Sequence, residues 1–206
     1  NGLGFVRLPM DPKPEVIPVG DTITGIDYYG RYVHYQGEDP DASDTWGKPE
    51  TICQLILLSQ NWAKKCREAG AGKLAEGMGL QCTIQYGDIA FVSSGVAQGQ
   101  GGKDPLGHEE HRSGECVDVR LFRQDNHLSR GLYTDPAYDR DLTRAFIHLA
   151  LEMGAKPVYF NDPEIIKSHP QVQAHDGHDN HIHLCFSVAE SPAVKDSCTA
   201  LGQHHN

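Results

Sequence analysis

Apolar residues recur at the spacing of an amphipathic helix in two long stretches of the chain, and each stretch predicts a helix. The first helix is expected to open within residues 45–51, where Pro49 and Glu50 suit a first turn, and to end near Gly70. The second is expected to cover residues 141–153.

Residues 116–122 alternate between polar and apolar positions, which is the period-two pattern of a strand with two different faces. Other segments rich in β-branched and aromatic residues also predict strands. A short helix is expected after Asp162, a capping residue followed by proline, up to residue 167. The predicted strands are residues 80–86, 89–92, 116–122, 157–160 and 181–188.

The remaining segments suggest three parts. Residues 1–45 are rich in Gly, Pro, Asp and Tyr and predict a loop-rich lead-in with one short strand near residues 23–28. Residues 46–190 form the predicted domain, and residues 191–206 form a C-terminal tail. Residues 93–107 contain five glycines, and we expect a mobile loop that either borders a substrate cleft or is a passive surface connection.

Charge and hydropathy argue against two classes of partner. The net charge of −10 disfavours nucleic acid and anionic membranes, because binding to either requires a basic surface. No stretch approaches the roughly 20 apolar residues that a membrane-spanning helix needs. We therefore expect no nucleic-acid partner and no membrane insertion.

Histidines cluster at the edges of predicted strands. His181 and His183 share one face of a strand, because alternate side chains of a strand point the same way. Asp118 lies in another strand, and His111 lies in the loop before it. If these strands pair antiparallel, His111, Asp118 and His183 converge on one point. Two imidazoles and one carboxylate would leave a fourth zinc position open for water, as in catalytic zinc sites.

The histidines of residues 175–183 would, by themselves, also suit a polar surface loop. The combination with His111 and Asp118 instead resembles the H-x6-D … H-x-H signature of a zinc peptidase superfamily. That superfamily includes lysostaphin-type enzymes, D-Ala-D-Ala carboxypeptidases and the zinc-bearing sonic hedgehog domain.

The chain is most similar to the penicillin-insensitive murein endopeptidase branch, over roughly residues 46–186. Its motifs occur in the order of that family: Trp46-Gly-Lys-Pro-Glu-Thr-Ile, Gly87-Asp-Ile, Gly107-His-Glu-Glu-His111, Phe160-Asn-Asp-Pro-Glu-Ile-Ile-Lys and His178-Asp-Asn-His181-Ile-His183.

The resemblance implies an α+β fold with a central antiparallel sheet, flanking helices, many loops and a zinc site at the sheet. It implies one Zn²⁺ ion held by His111, Asp118 and His183. It also implies a peptidase of the periplasm or of the secreted fraction that hydrolyses the peptide cross-links of peptidoglycan, with the peptide stems as its partner.

The resemblance further implies that His181 and His178 are catalytic, and that His108 is a substrate-side group or supports the ligands. Related peptidases place a glutamate base three residues before the last ligand, where this chain has Asn180. An amide cannot accept a proton, so we expect a histidine to act as the general base. The family usually has aspartate where this chain has Cys116.

Two other functions remain open. The same site would suit a cell-wall amidase or an antibacterial effector that targets the wall, and a related zinc-bearing domain could bind without catalysis. A purely binding domain does not need His178 and His181 beside the metal, so these residues favour an enzyme.

Six cysteines suit an oxidising compartment. In an antiparallel ladder, if Asp118 opposes His183, then Cys116 opposes Cys185, as a cross-strand disulfide or as two buried thiols. We further expect Cys66 to pair with Cys82 across a short connection, which leaves Cys53 and Cys198. The absence of a C-x-x-C motif argues against a cysteine zinc knuckle.

Overall fold

The computed structural model describes residues 6–7, 32–34, 46–70, 84–87, 89, 92–93, 96–97, 111, 113–125 and 131–186. Four predicted features lie outside these residues: the strand near residues 23–28, most of the glycine-rich loop, His108 and the tail at 191–206.

Three helices and ten strands lie within the described residues. The helices are α1 (Pro49–Gly70), α2 (Arg140–Glu152) and α3 (Pro163–Ser168). The strands are β1 (Val6–Arg7), β2 (Tyr32–His34), β3 (Trp46–Gly47), β4 (Ile84–Tyr86), β5 (Val92–Ser93), β6 (Val96–Ala97), β7 (Cys116–Arg120), β8 (Ala155–Tyr159), β9 (Val172–Gln173) and β10 (His181–Phe186).

Six of these strands form one mixed sheet in the order β2-β4-β7-β10-β8-β9. The four inner strands are antiparallel to one another, whereas β2 and β9 pair in parallel with β4 and β8 at the edges. The predicted α+β class is therefore confirmed, but the sheet is not wholly antiparallel. The parallel edges arise because a helix lies in the connection between the paired strands, α1 between β2 and β4 and α3 between β8 and β9.

All three predicted helices are present, and two have well-defined caps. Oδ1 of Asp139 accepts a hydrogen bond from the backbone N–H of Leu142 at the start of α2. Asp162 accepts one from the N–H of Glu164 and precedes a proline, as expected for α3. These caps satisfy N–H groups that have no partner within the helix.

The first helix begins within the predicted segment, with Pro49 in its first turn as expected, but the residues just before it form a strand that was not predicted. Trp46–Gly47 is a short strand that pairs with Val6–Arg7, and the helix begins only at Pro49. A Cβ on Gly47 would lie 3.0 Å from Cγ2 of Ile89, so a larger residue here would require that side chain to shift by a few tenths of an ångström. The N–H of Lys48 donates to the carbonyl of Gly114, which joins the start of the helix to the turn before β7.

The core lies between the sheet and the two long helices. Trp62 of α1 packs edge-on against Phe146 of α2, with ring centroids 5.4 Å apart, and both rings contact Phe122. One face of β7 and β10 adds its apolar residues to the same core: Val117, Val119, Ile182 and Leu184. The opposite face of these strands is therefore left for polar residues. None of the helices in the described part of the chain is long and apolar enough to cross a membrane.

Candidate metal centre

The pairing of β7 with β10 sets the geometry of the polar face. Asp118 lies directly opposite His183, and Cys116 lies directly opposite Cys185, which confirms the predicted register. The N–H of Phe186 donates to the carbonyl of Glu115 at 2.8 Å. Because hydrogen-bonded and non-hydrogen-bonded pairs alternate along an antiparallel ladder, both predicted pairs are non-hydrogen-bonded, where side chains approach more closely.

His111, Asp118 and His183 are brought together in a buried group. Each offers one ligand atom, and these atoms lie within 4.8 Å of one another. Oδ1 of Asp118 is 2.8 Å from Nδ1 of His183 and 3.4 Å from Nε2 of His111. A group with this composition could hold a metal ion.

The backbone before β7 orients His111. Gly114 turns the chain with φ = 67°, a conformation that L side chains rarely adopt, and its N–H donates to the carbonyl of His111. Nδ1 of His111 donates to the carbonyl of Ile89 at 2.8 Å. A carbonyl only accepts, so Nδ1 carries the proton, and Nε2, which lies 3.4 Å from Oδ1 of Asp118, is the ring nitrogen left to ligate a metal.

The charge state of Asp118 suits a metal ligand. Burial alone would raise the pKa of this carboxyl group, but hydrogen bonds to His111 and His183 and the charge of His181 hold the pKa well below its usual range. The carboxylate therefore stays ionised. An ionised oxygen and two imidazole nitrogens, all buried and within 4.8 Å of one another, form a donor set that fits a metal ion.

His181 and His178 lie beside this group. Nε2 of His181 is 3.5 Å from Oδ2 of Asp118, and its Nδ1 donates to Oδ1 of Asn180 at 2.7 Å. The ring of His178 is buried, and its centroid lies 4.7 Å from that of the His181 ring. Its Nδ1 donates to the carbonyl of Asp176 at 2.9 Å. The structure thus places both histidines next to the three candidate ligands.

Asn161 holds the loop that carries His178 in place, a role that was not predicted from the sequence. Its Oδ1 accepts from the N–H of His175 at 2.9 Å, and its Nδ2 donates to Oδ1 of Asp179 at 3.0 Å. Its own N–H donates to the carbonyl of His178 at 3.1 Å. Three hydrogen bonds therefore hold this loop against the end of β8.

Tyr159 lines the site, and its role was not predicted from the sequence either. It lies opposite His183 in the β8–β10 pair, and the two rings stack with centroids 5.6 Å apart. The same ring contacts His175 at 4.9 Å and His178 at 5.6 Å. The sequence predicted that Tyr159 lies in a strand, but it did not predict which strand would pair with that one.

Cys116 and Cys185 form a disulfide on the same face. Of the two alternatives predicted from the sequence, a disulfide or two buried thiols, the structure has the disulfide. Together with His183 they are a second group close enough to hold a metal. The bonded sulfurs are not thiolates, the form that binds metal, so the group of His111, Asp118 and His183 is the candidate in this state.

Cys53 is also disulfide-bonded. The expected pairings of Cys66 with Cys82 and of Cys53 with Cys198 lie outside the described side chains.

The sequence matches no protein-family model and no curated protein. Residue geometry and motif spacing therefore carry the functional proposal below.

Proposed function

We propose that the chain is a zinc-dependent peptidase that hydrolyses the peptide cross-links of bacterial peptidoglycan. The observation that carries this proposal is the buried group of His111, Asp118 and His183, with ligand atoms within 4.8 Å of one another. Two imidazole nitrogens and one carboxylate oxygen suit zinc better than calcium or magnesium, which prefer oxygen ligands.

Three protein ligands leave a coordination position open, as catalytic zinc sites require. When bound, zinc supplies Lewis acidity, which polarises a carbonyl group and lowers the pKa of water to about 7. His111, Asp118 and His183 would fix the place where that chemistry occurs, because two of them belong to the central strands.

His181 is the proposed general base. Its Nδ1 donates to Asn180, so in the neutral ring the lone pair belongs to Nε2, which lies 3.5 Å from Oδ2 of Asp118. This nitrogen would take a proton from the attacking water and return it to the leaving amine. Asn180 stands where related peptidases have glutamate, and here its amide would orient the base.

The substrate class rests on the motif resemblance over residues 46–186, and the net charge of −10 argues against nucleic acid as a substrate. The Cys116–Cys185 disulfide is compatible with an extracytoplasmic location, which supports periplasmic or secreted action on the wall.

Digestion of purified muropeptides, read by mass spectrometry, tests the proposal. We expect the zinc-loaded protein to convert cross-linked dimers into monomers, the chelated protein to leave them intact, and restored zinc to recover cleavage. His148→Ala is a matched control, because His148 is an exposed histidine paired with Glu152 on α2. Stoichiometric zinc with intact dimers would contradict the peptidase and favour a binding domain, and release of whole stem peptides from glycan would instead indicate an amidase.

A further inference from the structure

His183 lies between two groups of ligand atoms, one on each side of its ring. Nδ1 faces Oδ1 of Asp118 at 2.8 Å, and Nε2 lies 3.3 Å from Sγ of Cys185. Cys116 is directly opposite Cys185 on the neighbouring strand. Cys116, His183 and Cys185 are all buried, and their ligand atoms lie within 4.8 Å of one another.

We propose that reduction of the Cys116–Cys185 disulfide creates a second metal site, formed by the two thiolates and Nε2 of His183, for a thiophilic cation such as Zn²⁺ or Cd²⁺. A dithiol would supply two electrons and two protons to the disulfide, which gives two thiols and leaves the reductant as a cyclic disulfide. Both thiol protons pass to solvent when the cation binds, because the thiolate is the ligand.

The strand ladder keeps these atoms in place when the sulfur–sulfur bond opens. Cys116 and Cys185 are a non-hydrogen-bonded pair, so their side chains stay close whether or not they are bonded. Tetrahedral zinc, with bonds of about 2.3 Å to sulfur and about 2.0 Å to nitrogen, places these two ligand atoms roughly 3.5 Å apart. The Cys185 sulfur and the His183 nitrogen already lie 3.3 Å apart.

The two sites compete for one imidazole. A neutral histidine ring has a single nitrogen lone pair. His183 can therefore ligate a metal held with Asp118 and His111 through Nδ1, or a metal held by the two cysteines through Nε2. Reduction would therefore change the donor set from two nitrogens and one oxygen to two sulfurs and one nitrogen. This inference does not depend on peptidase activity.

Cobalt(II) absorption of the full chain distinguishes the two donor sets. We expect the oxidised protein to bind Co²⁺ without a thiolate-to-cobalt charge-transfer band, and the dithiol-reduced protein to show that band in the near ultraviolet. The double variant Cys116→Ser with Cys185→Ser, reduced in the same way, keeps the other four cysteines and should lose the band. His111→Ala should weaken Co²⁺ binding by the oxidised chain but keep the band after reduction, which separates failure of one site from failure of the other.

Alkylation of the reduced wild-type chain gives a measurement that does not depend on the folding of any variant. Zn²⁺ should protect Cys116 and Cys185 from alkylation, as peptide mapping would show. An equal band in the reduced double variant, full alkylation of both cysteines in the presence of Zn²⁺, or a bond that a dithiol cannot open in the folded chain would each overturn the proposal.

Discussion

Asp118 and His183 face each other across the two central strands, with Oδ1 of the aspartate 2.8 Å from Nδ1 of the histidine. Their backbones are held by the ladder between β7 and β10, and the opposite faces of these strands lie in the core. The sheet therefore fixes the distance between two candidate ligands before any metal binds. Such preorganisation lets a ligand be removed without loss of the fold.

His183→Ala should abolish stoichiometric zinc while leaving the fold intact. Loss of residues that merely support a metal ligand costs about 10- to 100-fold in affinity, so loss of a ligand should exceed about 100-fold. Metal analysis after gel filtration measures the stoichiometry, and far-ultraviolet circular dichroism checks the fold. One bound zinc per chain in this variant would disprove the assignment of His183.

His181→Ala should retain zinc but lose roughly 10²- to 10⁴-fold in turnover, which is the usual contribution of a general base. Wild-type activity should also fall in mild acid, because an imidazole base is protonated there. Turnover on muropeptides and zinc content are measured on the same sample. Near-normal turnover would move the base to another residue, with His178 the next to be tested.

Asn161→Ala should lower turnover without releasing zinc, because Asn161 contacts the loop of His178 rather than the candidate ligands. Two side-chain hydrogen bonds are lost, and each contributes about 0.5–1.5 kcal/mol to stability. Asn161→Asp is the matched variant, since it keeps the acceptor for His175 but sets a carboxylate against Asp179. We expect both variants also to shift the pH profile of turnover. An effect on stability alone would show that Asn161 does not position the loop of His178 for catalysis.

The ion pairs of two arginines on α2 should differ strongly in their effect on stability. Arg140 binds Asp162, which is fully buried, whereas Arg144 binds Asp141, whose side chain is 91% exposed. Arg140→Ala removes the ion-pair partner of a buried carboxylate, which keeps its hydrogen bond from the N–H of Glu164, and should cost about 1–3 kcal/mol. Arg144→Ala should cost less than about 0.5 kcal/mol. Urea unfolding of both variants measures the difference, and equal losses would contradict this account.

The helices α1 and α2 and the strands β7 and β10 could be predicted because they are long enough to show a hydrophobic period, and α3 could be predicted because Asp162 and Pro163 mark its start. The strands β2 and β9 have three and two residues, too few for a period, and they form only where a neighbouring strand offers its backbone. Sequence spacing also predicted that Asp118 would oppose His183, since two ligands of one metal require adjacent strands. The contacts of Asn161 and Tyr159 could not be predicted, because they depend on where the end of β8 lies relative to the histidine loop.

Anomalous diffraction at the zinc absorption edge, from crystals of the zinc-loaded protein, tests the central claim most directly. We expect one anomalous-density peak, about 2.0–2.2 Å from Nε2 of His111, a carboxylate oxygen of Asp118 and Nδ1 of His183. A peak held by other residues, or no peak in protein that contains one zinc per chain, would contradict it.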